Sequence, residues 1–131
     1  LNVSNYLAIA LLNQVFRNTN YTRPTTLYIA LYTSNPTAAD TGQEVTGGAY
    51  ARQAVVFTPP AAVNGVYTIK NSAEIPYPVA AATWGQLTHL GIRDAVTGGN
   101  LLYYGALTDP KSILTNDIFK FSVGQVSIDL S

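Results

Sequence analysis

The sequence has 131 residues, 47% of them hydrophobic, the size of one ordinary domain with enough apolar side chains for a core. Seven Lys and Arg balance seven Asp and Glu, so charged residues make up 11%, against about 25% in a typical soluble domain. A neutral chain lacks the cationic surplus that binds nucleic acid or anionic membranes, and the absence of cysteine excludes disulfides, thiolate nucleophiles and Cys-ligated metals.

The first element is a helix over residues 4–17. Ser4 or Asn5 caps its start, Arg17 suits the negative end of its dipole, and Asn18, Asn20 and Pro24 end it. Leu7, Ala8, Leu11, Leu12, Val15 and Phe16 form an apolar stripe at helical spacing, which needs cover from this domain's sheet or from a partner. No apolar run approaches the roughly 18 residues of a membrane span. Segment 6–16 also lacks the basic leader and small-residue cleavage site of a signal peptide.

At Thr26 the period changes to two. Leu27, Ile29 and Leu31 share one face of a strand and Tyr28 and Tyr32 the other. Residues 33–48, with Pro36, Gly42 and Gly47-Gly48, are long for a hairpin connection and read as a mobile or partner-binding loop. Further strands are expected at 50–57, 66–70, 73–77, 87–94, 101–107, 118–123 and 125–130. Pro59-Pro60, Asn64-Gly65, Gly98-Gly99-Asn100 and Asp109-Pro110 separate them as turns. The last strand alternates Val126, Ile128 and Leu130 inward with Ser127, Asp129 and Ser131 outward. Eight or so short strands indicate a mainly β, single-domain antiparallel sandwich or barrel over residues 1–131, with one N-terminal amphipathic helix at an edge or end. We take the sandwich as the fold class and leave a jelly-roll strand order open.

Chemistry is scarce. His89 is the one histidine, and with no second His and no Cys to complete a common metal site it reads as a hydrogen-bonded structural residue. No serine sits in a G-x-S-x-G elbow, and sequence alone does not bring one to His89. The carboxylates are scattered. Glu74 and Asp94 become neighbours only if their strands pair, whereas Asp94, Asp109 and Asp117 suit turns. Asp109 and Asn116-Asp117 flank one loop without an EF-hand pattern. Gly98-Gly99 lacks the Lys-Ser/Thr and the helix of a phosphate loop. We therefore expect no enzyme, no cofactor and no metal. Fourteen aromatic residues are the abundant resource: Phe57, Phe119 and Phe121 read as core, and Tyr28, Tyr32, Tyr103 and Tyr104 as core or interface. So little charge leaves little to hold copies apart, which points to self-association or life in an assembly.

Several segments are similar to one family. Leu27-Tyr28-Ile29-Ala30-Leu31-Tyr32-Thr33 with Asn35-Pro36-Thr37, then Gly48-Ala49-Tyr50-Ala51-Arg52-Gln53 and Thr83-Trp84-Gly85, carry the first part of the likeness. Thr88-His89-Leu90-Gly91-Ile92, Asp94-Ala95, Thr97-Gly98-Gly99-Asn100-Leu101-Leu102, Tyr104-Gly105 and Pro110-Lys111 complete it. The chain resembles small tailed-bacteriophage virion structural proteins, a group labelled tail-fibre-like and akin to capsid cement and decoration proteins. The resemblance implies a non-catalytic virion component, present in many copies and assembled in the bacterial cytoplasm.

Gly85, Gly91, Gly98, Gly99 and Gly105 then fit turns, bulges or close backbone approach. Arg52 is expected to pair with a carboxylate or with a neighbouring subunit's carbonyls, and Trp84 to anchor a core or an interface. The first functional expectation is a cement protein that bridges joints between major capsid proteins and associates with itself as a dimer or trimer. The alternative is a tail-fibre or baseplate component that binds a host-surface glycan, with Trp84 and tyrosines stacking on sugars. Leu7, Leu11, Tyr28, Tyr32, Tyr50, Arg52, Trp84, Tyr103 and Tyr104 are the expected interface residues.

Overall fold

The computed structural model describes residues 1–130; Ser131, expected on the outward side of the last strand, lies outside the described residues. The order is β1 (Asn2–Val3), α1 (Asn5–Phe16), β2 (Leu27–Tyr32), β3 (Gln53–Val55), β4 (Ala61–Val63), β5 (Val66–Lys70), β6 (Ile75–Pro76), β7 (Gly85–Arg93), β8 (Leu101–Ile113), β9 (Lys120–Phe121) and β10 (Ser127–Leu130). All strand pairs are antiparallel. They form a five-stranded sheet in the order β1-β8-β7-β2-β3, a three-stranded sheet β10-β5-β4 and a two-stranded sheet β6-β9.

The expected mainly β fold with one N-terminal helix is what the chain adopts. Ile29, Leu31, Leu87, Leu90 and Ile92 of the large sheet, with Trp84 just before β7, pack with Tyr77, Phe119, Phe121 and Val126 from the segments around the small sheets. Phe57 packs against this cluster at its margin. Asn71, fully buried, stitches the small sheets together. Its side-chain amide donates to the Ala73 and Ser122 carbonyls, and its oxygen accepts from Val126 N at 2.9 Å. α1 lies against β8 of the large sheet. Its cap is Ser4, whose Oγ accepts from Leu7 N at 3.1 Å, and the helix ends at Arg17, whose N–H donates to the Asn13 carbonyl.

Four expectations need correction. The strands number ten among the described residues, because β1 and β4, of two and three residues, are too short to show a period. Asp109-Pro110 is not a turn but part of β8. Between the pairs Leu87↔Lys111 and His89↔Ala106, one residue of β7 faces four of β8, and this wide bulge accommodates a proline that has no N–H to donate. Leu130 is exposed rather than inward, since β10 runs past the core to pair with the exposed Tyr67. Segment 33–48 is pinned instead of loose. Thr33 N donates to the Gln43 carbonyl, Val45 N to the Leu31 carbonyl and Asn5 N to the Ala38 carbonyl, at 3.0, 3.0 and 2.9 Å, over a buried Pro36.

Candidate functional site

The large sheet is covered on both faces at its centre. Opposite the main core, the β2–β7 register places Tyr28 by Arg93, Ala30 by Gly91 and Tyr32 by His89. Gly91 is required here, because a Cβ would lie 2.8 Å from both the Tyr32 and the Leu101 side chains. That close approach makes room for Tyr32, 1% exposed, whose hydroxyl accepts from Arg93 Nη1 at 2.9 Å.

Arg93 and Arg52 form a double clamp. Arg93 donates to both Asp40 oxygens at 2.8 Å, to Tyr32 Oη at 2.9 Å and to the Gly98 and Gly99 carbonyls at 3.2 and 3.0 Å. Arg52 grips Glu44 through Nε and Nη2, at 2.8 and 2.7 Å, and reaches the Ala95 and Gly98 carbonyls with Nη1. The Gly98 carbonyl thus receives both arginines. Gly98 and Gly99 have φ of 61° and 68°, a conformation glycine adopts freely, and it turns the hairpin's carbonyls inward to the two cations. Such forks are bidentate and charge-assisted, the strong class of hydrogen bond. Burial opposes the ionised form of Glu44, but the bonds from Arg52 and Tyr50 outweigh it and hold the carboxyl below its ordinary range. Bonding to Asp40, stronger here than the cost of burial, keeps Arg93 firmly cationic.

Tyr50 joins this clamp to the core. Its hydroxyl donates to Glu44 Oε2 at 2.6 Å and accepts from Leu31 N at 3.0 Å, which completes the β2 edge where β3 has ended. Its ring stacks on Tyr77 at 6.3 Å and meets Trp84 edge-on at 5.6 Å. Trp84, 4% exposed, donates from Nε1 to the Gly48 carbonyl, and Tyr77 Oη donates to the Ile29 carbonyl.

The expected interface residues therefore separate. Tyr32, Tyr50, Arg52 and Trp84 are engaged inside the chain, and the carbonyls on Arg52 are this chain's own. Tyr103 faces the main core and Tyr104 the opposite side beside Asn2 of β1; with Tyr28, they are half-buried. Leu7 is half-buried toward the sheet, whereas Leu11 is more open. Glu74 lies just before β6 and Asp94 just after β7, strands of different sheets, so they are not a pair: Glu74 meets Lys120, and Asp94 caps its own loop through Asn100 N. Asp117 accepts from Leu114 N, as a turn residue does. His89 Nδ1 lies 2.8 Å from the Thr88 hydroxyl, and burial lowers its pKa.

Two features went unread in the sequence. Arg93 and Asp40 find each other across 53 residues, a distance no local pattern bridges. Ile9, by contrast, was legible. With Leu12 and Phe16 it makes a second apolar stripe, because only Asn5, Asn13 and Gln14 of the twelve helical residues are polar. That stripe is the most exposed apolar surface of α1: Ile9 62%, Leu12 58%, Val15 65% and Phe16 77%. No residue of the helix is buried, although a helix apolar on nearly all sides ordinarily is. Elsewhere, the β8 bulge forms one wall of an open cleft of about 540 Å³, edged by Asp109, Lys111, Lys120 and Gln125.

A family model described as podophage GP4 fiber I protein gp80 matches residues 2–129. The chain belongs to this family. Among curated proteins, none matches it. Membership makes the chain a phage virion structural protein, in agreement with the resemblance carried by its strand and glycine motifs.

Proposed function

We propose that this chain is a non-catalytic component of the podophage tail fibre, assembled in the host cytoplasm and joined to its neighbours through apolar surface. The family match carries this reading, because it spans nearly all of the chain and not a grafted module. The exposed helix supports it: an apolar face this large on a virion protein calls for a partner. A host-surface sugar would find donors and acceptors in the cleft beside β8, not on Trp84, whose ring is walled in by Tyr50 and Tyr77.

Cement across major capsid proteins is the second reading, favoured by the same neutral surface and open helix. Copy number separates the two. Quantitative mass spectrometry of purified particles should give a few copies per virion, in a small multiple set by the tail's symmetry. A ratio near one to the major capsid protein, or a simple icosahedral fraction of it, would overturn the fibre reading and move the chain to the head.

A further inference from the structure

We propose that the cleft between β8 and residues 117–125 is a binding site for a neutral oligosaccharide of roughly two or three sugars. That the sugar comes from the host surface rests on the fibre reading; the chemistry of the cleft does not.

The bulge makes the cleft. Residues 107–110 of β8 have no partner on β7, and β1 pairs with β8 only at Tyr103 and Tyr104, so this stretch is held by a ladder on neither side. With residues 117–125 it encloses about 540 Å³, inside the range of pockets that bury small ligands. Bulges commonly re-aim side chains beside binding sites. A peptide strand is a poor occupant, because Pro110, Lys111 and the bulge blunt the β8 edge as natural sheets blunt exposed edges.

The cleft has an apolar floor and a polar rim. Ile113, Phe119 and Phe121, all buried, line the floor and suit the C–H face of a sugar ring. The wall opposite β8 is already set. Gln125 Oε1 accepts from Ser122 N at 2.8 Å, which leaves Nε2 to donate. Asp117 Oδ2 accepts from Leu114 N at 2.8 Å, which leaves Oδ1 to accept, and Glu74 braces Lys120 Nζ at 3.2 Å. On the β8 wall, Asp109 and Lys111 belong to none of the ion pairs among the described residues.

Charge names the ligand. Asp109 and Asp117 offset Lys111 and Lys120, so the charges lining the cleft cancel. A phosphate or a polyanionic sugar calls for a cationic surplus that this rim lacks. A wholly apolar ligand would strip water from these groups and replace none of its bonds. A sugar hydroxyl both donates and accepts, so neighbouring hydroxyls match a rim in which amine and amide donors alternate with carboxylate acceptors.

Amide NMR of the isotope-labelled chain tests the site, with two panels of trisaccharides. One panel is neutral, built from hexoses, deoxyhexoses and N-acetylhexosamines, and the other carries uronic or sialic acids. A neutral trisaccharide should give saturable shifts confined to residues 107–113 and 117–125. Gln125→Glu keeps the acceptor for Ser122 N but removes the Nε2 donor, and Asp109→Asn alters an exposed carboxylate outside every ion pair. Each should weaken binding at least about tenfold and keep the parent's circular dichroism and melting temperature. Asp129→Asn, an exposed carboxylate on β10, should leave binding unchanged. No saturable shift with the neutral panel at about 10 mM, binding of acidic sugars alone, shifts centred elsewhere, or indifference to both cleft substitutions would each overturn the site. Copy number on particles is read independently. A few copies per virion without sugar binding would strike the site and spare the fibre reading, whereas an icosahedral ratio would strike the fibre reading and leave the NMR result to decide the site.

Discussion

The arginine clamp and helix α1 invert the usual placement of polar and apolar groups. The clamp shields two cations behind the large sheet, while α1 leaves six large apolar side chains exposed to solvent. Buried charge is tolerable where every donor and acceptor is matched. Here it is matched, since no buried side-chain nitrogen or oxygen among the described residues lacks a partner. Apolar groups make no such demand for direction. They require only cover, which another molecule can supply after folding. The clamp therefore belongs to the frame of the fold, while the helix face is left open to cover. A bond network must be complete before the chain is native, whereas a smooth apolar stripe waits for its neighbour.

The largest effect should come from breaking the frame at its aromatic centre. Trp84→Ala removes the edge-on contacts with Tyr50 and Tyr77 and leaves the Gly48 carbonyl without its indole donor. The expected loss is about 3–5 kcal/mol, read as the shift in a urea unfolding midpoint. A loss no greater than that of an exposed helix substitution would dissolve the distinction between the two regions. Arg93→Met is the next largest. The methionine fills part of the volume but leaves the Gly99 carbonyl, Tyr32 Oη and Asp40 without their donor, while Arg52 still holds the Gly98 carbonyl. A destabilisation of about 2–4 kcal/mol is expected from those orphaned groups. Faster amide exchange should be confined to the 94–100 hairpin and segment 33–48. Uniform loosening across the sheet would mean that Arg93 supports the core and not the clamp.

How far these regions could be read beforehand follows from how local their causes are. The helix is written in Ser4, Arg17 and the spacing of its leucines, because capping and periodicity act within a few residues. Strands β2, β5 and β7 show their alternation or apolar runs directly, and Gly98-Gly99 announces its hairpin. Asp109-Pro110 misleads because the dipeptide usually marks a turn, and only the pairing of β7 with β8 shows that a bulge absorbs it. Segment 33–48 has the composition of a free loop, yet Asp40 is anchored by an arginine on a strand that the sequence reaches much later. Arg52 was half legible: a carboxylate partner was expected, and Glu44 lies eight residues away. Whether its carbonyl partners belong to this copy or another depends on tertiary closure, which no spacing encodes. The tyrosines show the same limit. Alternation assigns Tyr32 to the face opposite Leu31 but does not say that this face is covered as well.

The smallest effect offers the sharpest test, because pH acts on one region and not the other. Glu44 faces Arg52 and Tyr50 directly and feels Arg93 nearby, and its folded carboxyl titrates below the ordinary value of 4.5. A depressed carboxyl pKa stabilises the fold above its unfolded value, and that contribution is lost as pH falls through the folded value. Unfolding of the parent and of Glu44→Gln should therefore differ most near neutral pH. The gap should narrow from about pH 4.5 downward, as the parent's carboxyl takes up a proton and its fork to Arg52 weakens. A gap constant from pH 7 to pH 3 would show that Arg52 and Tyr50 hold the protonated acid as well as the carboxylate. The gap between the parent and Leu7→Ala, by contrast, should stay level over the same range, because residues 5–16 of α1 carry no acidic or basic side chain to titrate. One gap that closes with acid beside another that does not would separate the ionic frame from the apolar helix in one titration.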